Sequence, residues 1–251
     1  MMKRVVLILS LFFSLIIHSQ TANELFSKAN ELYKNGNYNK AIELYLDIEK
    51  QDFVSAELYF NLGNSYYKLN KVAPSIYYYE KALKINPNHQ DSISNLAFAK
   101  RMTIDVIEDL PKTFLQRFSE AVIQKLTFDS WATIAVIASF LASILFLMYY
   151  FSNSSKKKLF YFNTSIFTVF VLLVTLFFAF SNYKIEQKNR TAIIFAPKTE
   201  IKNAPTKSGD EVFELHEGTK VVVLDELDNW KKIKIADGKT GWIKAEDLKE
   251  I

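Results

Sequence analysis

The chain contains no cysteine, an absence that removes disulfides, thiolate metal sites and a cysteine nucleophile at once. Histidine is nearly as scarce: His18, His89 and His216 lie too far apart in sequence to mark a metal cluster. The six glycines build neither a phosphate-binding loop nor a dinucleotide fingerprint. An excess of one charge is also lacking, since 31 basic and 27 acidic residues leave a net charge of only +4, and the repeat region is close to neutral. A basic face for nucleic acid is therefore not expected. Without a nucleophile–base pair, metal ligands or a cofactor motif, the sequence predicts a protein that is not an enzyme and holds no cofactor.

What the chain does have is an internal repeat. Residues 22–55 and 56–89 align at a spacing of 34 without a gap. Leu25 falls on Tyr59, Ala29 on Gly63, Tyr33 on Tyr67, Ile42 on Ile76, Tyr45 on Tyr79 and Ile48 on Ala82. These are the small and aromatic positions of the tetratricopeptide repeat, which the segment resembles: Ala29 or Gly63 lets two helices approach and the rings fill the space between them. Two units are few for a stacked array. Residues 90–103, with Ile93, Leu96 and Ala97 at first-helix positions, are expected to supply a closing helix and complete a repeat domain over residues 20–110. Tyr77 and Tyr78, beside the core position Tyr79, are expected to be covered by neighbours on their own helix, with an oligomer contact as the other reading.

Three apolar blocks surround the polar segments. Val5 to Ile17 holds thirteen residues without a charge behind Lys3-Arg4, only about 20 Å as a helix and short of the hydrocarbon core of a bilayer. Together with Ser19 it reads as a signal peptide over residues 1–19, an uncleaved anchor being the alternative. Trp131 to Phe151 is long enough to span, roughly 31 Å, with aromatics at both ends. Leu159 to Phe180 forms a second span. Between them residues 152–158 end in Lys156-Lys157-Lys158, a loop that the positive-inside rule places in the cytoplasm. Cations also flank the other side (Arg117 and Lys125 before, Lys184, Lys188 and Arg190 after), so the leader decides the orientation: both ends periplasmic, the lysine turn inside. Residues 111–130 put Phe114, Leu115, Phe118, Val122 and Leu126 at helical spacing. This amphipathic linker either lies on the membrane surface or packs its apolar face on the repeats.

After Arg190 the pattern turns to short strands. Val221-Val222-Val223-Leu224 is β-branched, Ile233 and Ile235 alternate with lysines, and Asp237-Gly238 marks a hairpin before Thr240-Gly241-Trp242-Ile243. With Leu215, Glu217-Gly218-Thr219-Lys220 and Asn229-Trp230, residues 190–251 resemble a bacterial SH3-like domain. That resemblance implies a small all-β barrel with Gly218 in a turn, Trp230 in the core and Gly241-Trp242 in the hairpin. Residues 201–205 lack the usual basic stretch, and the acidic, tyrosine-rich groove of signalling SH3 domains is missing, so proline-peptide binding is not implied.

The expected fold class is thus a multidomain membrane protein: an α-helical repeat solenoid, a two-helix transmembrane hairpin and a C-terminal SH3-like barrel. This order of parts, with residues 107–131 as the link, resembles the BatE-type members of the bacterial aerotolerance operon proteins. The resemblance implies an inner-membrane complex with von Willebrand A-domain membrane proteins and a MoxR-type ATPase, and a role in envelope stress. In the repeat family the first helix of each pair lines a groove. The alignment places Phe26, Asn30 and Tyr33, then Phe60, Asn64 and Tyr67, along it. Rings and amides suit a peptide segment of a partner protein, although the same residues also serve plain repeat-on-repeat packing. Capture of a C-terminal carboxylate is not expected, because the basic positions it needs carry Phe26, Asp91 and Asn95. Two functions are compatible with these parts: an adaptor that holds protein partners through the repeats, or a sensor whose SH3-like domain binds the cell wall.

Overall fold

A computed structural model describes residues 22–108, 110–188 and 190–251, and the signal peptide expected over residues 1–19 lies outside them. The chain divides into two compact units. One holds the helical repeats together with the C-terminal strands; the other holds the apolar helices and the segment that leads into them.

In the first unit, residues 22–34 form α1, followed by α2 (Tyr38–Glu49), α3 (Ala56–Lys68), α4 (Val72–Ile85) and α5 (Gln90–Lys100). Local chemistry sets these bounds. The Ser55 hydroxyl accepts from the Leu58 N–H at 3.0 Å to cap α3, with Glu57 in the first turn and Lys68 in the last, each suited to the helix dipole. His89 Nδ1 accepts from the Ser92 N–H at 3.1 Å and caps α5. The turns inside the two pairs are matched at the repeat spacing: Gly36 and Asn70 both adopt left-handed backbone, with φ of 76° and 55°. Ala29, Ile42, Tyr45, Ile48, Ile76, Tyr79 and Ala82 are buried, at positions the 34-residue alignment pairs, and Ala41, Leu58 and Leu62 are buried with them.

The C-terminal part is one seven-stranded antiparallel sheet: β1 (Arg190–Ile194), β2 (Lys198–Lys202), β3 (Glu211–His216), β4 (Lys220–Leu227), β5 (Trp230–Lys234), β6 (Thr240–Lys244) and β7 (Leu248–Glu250), in the order β3-β2-β6-β5-β4-β1-β7. Its core is aliphatic: Ile194, Ile201, Leu215, Val221, Val223, Ile233 and Ile243 are all buried. Gly218 and Gly238 turn the chain with φ of 87° and 91°. Trp230, expected in this core, lies outside it. The ring is half-buried at the start of β5, because the β4–β5 register sets Trp230 opposite Leu227, an exposed residue at the far end of the ladder.

In the second unit, residues 114–121 form a short helix, α6, and α7 (Phe128–Phe151) and α8 (Ser155–Lys188) pack against each other as a hairpin. The two long helices exceed the expected spans because capped or polar turns extend them: Thr127 caps α7 through the Ser130 N–H, and α8 includes the lysines at both its ends. Mostly small residues are buried here: Ala135, Ala138 and Ala142, with Leu145, on α7, and Thr168 and Thr175 on α8. The threonine hydroxyls return their protons to carbonyls within α8, those of Thr164 and Val171. Most of the larger apolar side chains face outward: Phe140, Ile144, Phe146, Phe167, Phe170, Leu173 and Phe177 are exposed. Both helices are long and apolar enough to cross a membrane, and most of each lies unburied. Asn163 is exposed.

Candidate functional site

All six residues expected along the groove are half-buried on α1 and α3. The rings pack inward in part: Phe26 lies 5.8 Å from Tyr45, Tyr33 meets Tyr38 edge-on at 5.3 Å, and Phe60 sits 5.1 Å from His89. Tyr67 packs beside the cluster formed by Tyr79, Ile76 and Leu96.

The asparagine oxygens are committed to the fold. Asn30 Oδ1 accepts from the Tyr45 hydroxyl at 2.6 Å and from Asn61 Nδ2 at 3.0 Å. Thirty-four residues on, Asn64 Oδ1 accepts from the Tyr79 hydroxyl at 2.6 Å and from Asn95 Nδ2 at 2.8 Å. Each rung joins the first helix of a pair to its own second helix and to the first helix of the next pair. The tyrosine hydroxyls are thereby satisfied in place, and burial pushes both phenols well above their usual range, so they remain donors throughout ordinary pH. This amide–tyrosine ladder ties α1 to α3 and α3 to α5. Its signal is present in the sequence, since Asn30, Tyr45 and Asn61 recur as Asn64, Tyr79 and Asn95. The Nδ2 groups of Asn30 and Asn64 have no partner among the described residues and remain open to a peptide carbonyl.

Tyr78 is buried, but by other helices and not only by neighbours on its own: it stacks 5.5 Å from Tyr66 of α3 and its hydroxyl donates to Glu49 of α2 at 3.2 Å. Lys81 pairs with Glu49 and lies 4.1 Å from the Tyr59 ring centroid, which closes this aromatic pocket from within. Tyr77 is covered differently: Phe195, just beyond β1, meets it edge-on at 5.6 Å.

That contact belongs to a larger joint between the strands and the repeats. Ile193 of β1 is wholly buried in one cluster with Ala73, Ile76 and Tyr79 of α4 and Leu96 and Ala99 of α5. The Gly218 turn fits against the same helix, where a Cβ would come within 3.0 Å of Val72 Cγ1 and Ile76 Cδ1. Two carboxylates lock the edges. Glu80, only 8 % exposed, accepts from Lys220 Nζ at 2.6 Å and has Lys100 Nζ 3.3 Å from its other oxygen. Asp105 accepts from the His216 N–H at 2.7 Å and the Thr219 hydroxyl at 2.6 Å, with His216 Nδ1 at 2.8 Å. Partners 111 to 140 residues apart carry no sequence signal, and no spacing rule predicts this joint. It closes the open end of a two-repeat array, whose last helices would otherwise leave Ile76, Leu96 and Ala99 to water.

Burial would raise the Glu80 carboxyl, but Lys220 and Lys100 more than offset it and hold the group below its ordinary 4.5. Burial opposes Asp105 in the same way and is outweighed by Thr219 and His216, which keep it below 3.8. A carboxyl held low contributes stability above its unfolded value that is lost as pH falls through the folded one. Acidification below about pH 4 is expected to loosen this joint. Exchange of the β1 and α5 amides should accelerate there before the helix interiors do, and Lys220→Ala should already show that faster exchange at neutral pH. Equal acid sensitivity of both regions would contradict the assignment.

The strands carry a second candidate surface. Lys207, Asn229, Trp230, Lys244, Ala245 and Glu246 line a cleft of about 430 Å³. No group of three or more His, Asp or Glu residues placed to hold a metal occurs among the described residues.

Comparison with known families agrees with this division. The tetratricopeptide repeat family model matches residues 56–89, the second copy, and the bacterial SH3 domain model matches residues 199–249. No curated protein matches the chain. The chain thus carries a protein-interaction repeat and a bacterial SH3 domain, a combination suited to an adaptor.

Proposed function

We propose that this protein is a non-catalytic, two-span inner-membrane adaptor that holds partner proteins through its repeats on the periplasmic side. The supporting observation is the joint itself. Ile193, Lys220 and His216 follow the hairpin in sequence yet pack against Tyr79, Glu80 and Asp105, which precede it. Both segments must share one aqueous compartment, and an even number of crossings between them satisfies that condition. The leader-like N-terminus and the lysine turn orient that compartment outward. By resemblance to the BatE-type aerotolerance proteins, the partners are von Willebrand A-domain membrane proteins acting with a MoxR-type ATPase.

Partner contact is assigned to the rings of Phe26, Tyr33, Phe60 and Tyr67 and to the amide groups of Asn30 and Asn64. Aromatic anchors of this kind are typical energetic centres of interfaces, so the double variant Tyr33→Ala, Tyr67→Ala is expected to reduce partner recovery about tenfold or more. The test is a membrane-impermeant cross-linker applied to spheroplasts, followed by purification of the tagged chain. Recovery of A-domain proteins from the wild type and their loss from the variant is the expected pattern. Unchanged recovery removes the groove, and recovery only after the cells are opened removes the orientation.

A second reading is favoured by the cleft at Trp230: a partly exposed ring flanked by Lys207 and Lys244 suits a carboxylate-bearing cell-wall peptide, which would make the bacterial SH3 domain a sensor of the wall.

A further inference from the structure

The segment between the repeats and the hairpin holds a surface with no partner among the described residues. Thr113 and Gln116 form a reciprocal capping box, and α6 runs from Phe114 to Ala121. No residue of this helix is buried. Its apolar side chains are widely open: Phe114 is 80 % exposed, Leu115 75 % and Phe118 44 %. At 100° per residue these three occupy one arc, with Gln116 and Glu120 directed away from it and Ser119 at its edge beside Leu115. Such a face is costly in water, at about 25 cal/mol for each Å² of apolar surface.

The chain beyond α6 fixes where that face sits. The helix stops at Val122, Ile123–Lys125 make a single 3₁₀ turn, and α7 starts at Phe128. The turn is bolted to the hairpin: Trp131 Nε1 donates to the Ile123 carbonyl at 2.9 Å, and Asn182 Nδ2 donates to the Leu126 carbonyl at 2.6 Å. At the same end of the hairpin, Trp131 meets Phe178 at 5.1 Å and Phe128 meets Tyr183 at 5.7 Å, the aromatic composition of a membrane–water boundary. Lys112, Arg117 and Lys125 against the single carboxylate of Glu120 give residues 110–127 a net charge of +2.

We infer that α6 is an interfacial foot of the hairpin, lying flat in the outer boundary of the bilayer with Phe114, Leu115 and Phe118 among the acyl chains and the cations at anionic lipid headgroups. The inference rests on the hairpin crossing a membrane. Two observations select lipid over a protein occupant: the face is joined through the 123–126 turn to a hairpin whose outer surface is apolar, and its basic flank complements phosphate headgroups. Rigid attachment through Trp131 and Asn182 lets this foot set the depth of the spans, since the hairpin cannot slide without lifting three apolar side chains into water.

The chain's lack of cysteine makes the test direct. Full-length variants Phe114→Cys, Leu115→Cys, Phe118→Cys, Ser119→Cys, Glu120→Cys and Phe140→Cys carry one nitroxide each and are reconstituted into vesicles of mixed phosphatidylglycerol and phosphatidylcholine. Labels at 114, 115, 118 and 140 should collide with oxygen and be shielded from a water-soluble nickel chelate, while that at 120 shows the reverse and that at 119, on the edge of the arc, falls between. A lipid signature at 140 with all five α6 labels in water overturns the foot and leaves the hairpin. Labels at 114, 115 and 118 shielded from both quenchers also overturn it, in favour of a protein contact. An aqueous label at 140 removes the membrane reading and the foot with it.

Discussion

Gly63→Ala is expected to destabilise the repeat unit by roughly 2 kcal/mol, although alanine in an exposed helix interior would gain roughly 1 kcal/mol over glycine. The sign therefore tests packing against propensity. An added Cβ would lie 2.6 Å from two ring carbons of Tyr79. That ring cannot withdraw, being fully buried with its hydroxyl held on Asn64. The equivalent position in the first copy is Ala29, equally buried, where a methyl group is accommodated against Tyr45. The structure gives a reason for the difference. Ser75 of α4 donates to the Gly63 carbonyl at 3.1 Å and draws the two helices together, while the matching residue in the first pair is Ala41, which can make no such bond. Hydrogen exchange across α3 and α4 in the reconstituted protein is the readout. Slower exchange in the variant would refute the close approach.

Ile193→Asp should have the other large effect. A carboxylate placed among Ala73, Ile76, Tyr79, Leu96 and Ala99 has no cation within this cluster, and burying it uncompensated costs on the order of 4 kcal/mol or more. Separation is the cheaper outcome. The inner core of the sheet (Ile201, Leu215, Val221, Ile233, Ile243) and that of the first repeat (Ala29, Ala41, Ile42, Tyr45) do not include Ile193. Amides of β1, α4 and α5 are expected to lose protection in the variant, while β4–β5 and α1–α2 keep theirs. Ile193→Val, which removes one methylene, should cost only about 1 kcal/mol and leave the joint closed. If Ile193→Asp exchanges like the wild type throughout, the strands do not rest on the repeats.

The two substitutions probe the features that most distinguish this chain from a string of independent modules. Gly63 belongs to a pattern visible in the order of residues alone: six pairs in register at 34 residues, with the Asn–Tyr–Asn rungs following the same period. Ile193 belongs to none. Its strand carries no pattern that marks it out, and nothing in residues 190–194 indicates that one face meets helices about a hundred residues earlier. The groove shows the same division. The six residues expected along it lie on α1 and α3, yet alignment does not reveal that Asn30 and Asn64 give their oxygens to the ladder. Trp230 shows it too, since the resemblance implies a core ring and the register puts that ring at the rim of a cleft.

The sequence by itself determined whatever depends on near neighbours: helix pairs from periodicity, two long apolar helices from uninterrupted hydrophobicity, a turn at Gly218 and a hairpin at Gly238, and the lack of thiol chemistry from composition. Tertiary structure alone decided which finished surfaces meet. The burial of Glu80 by Lys220, the seat of Asp105 under His216 and Thr219, and the exposure of Phe114 on α6 all turn on shape and charge brought together after the local elements exist. The physical reason is range. Backbone hydrogen bonds and side-chain spacing act over a few residues and leave a periodic trace. A buried ion pair between positions 80 and 220 depends on the path of everything between them, and no periodicity records that.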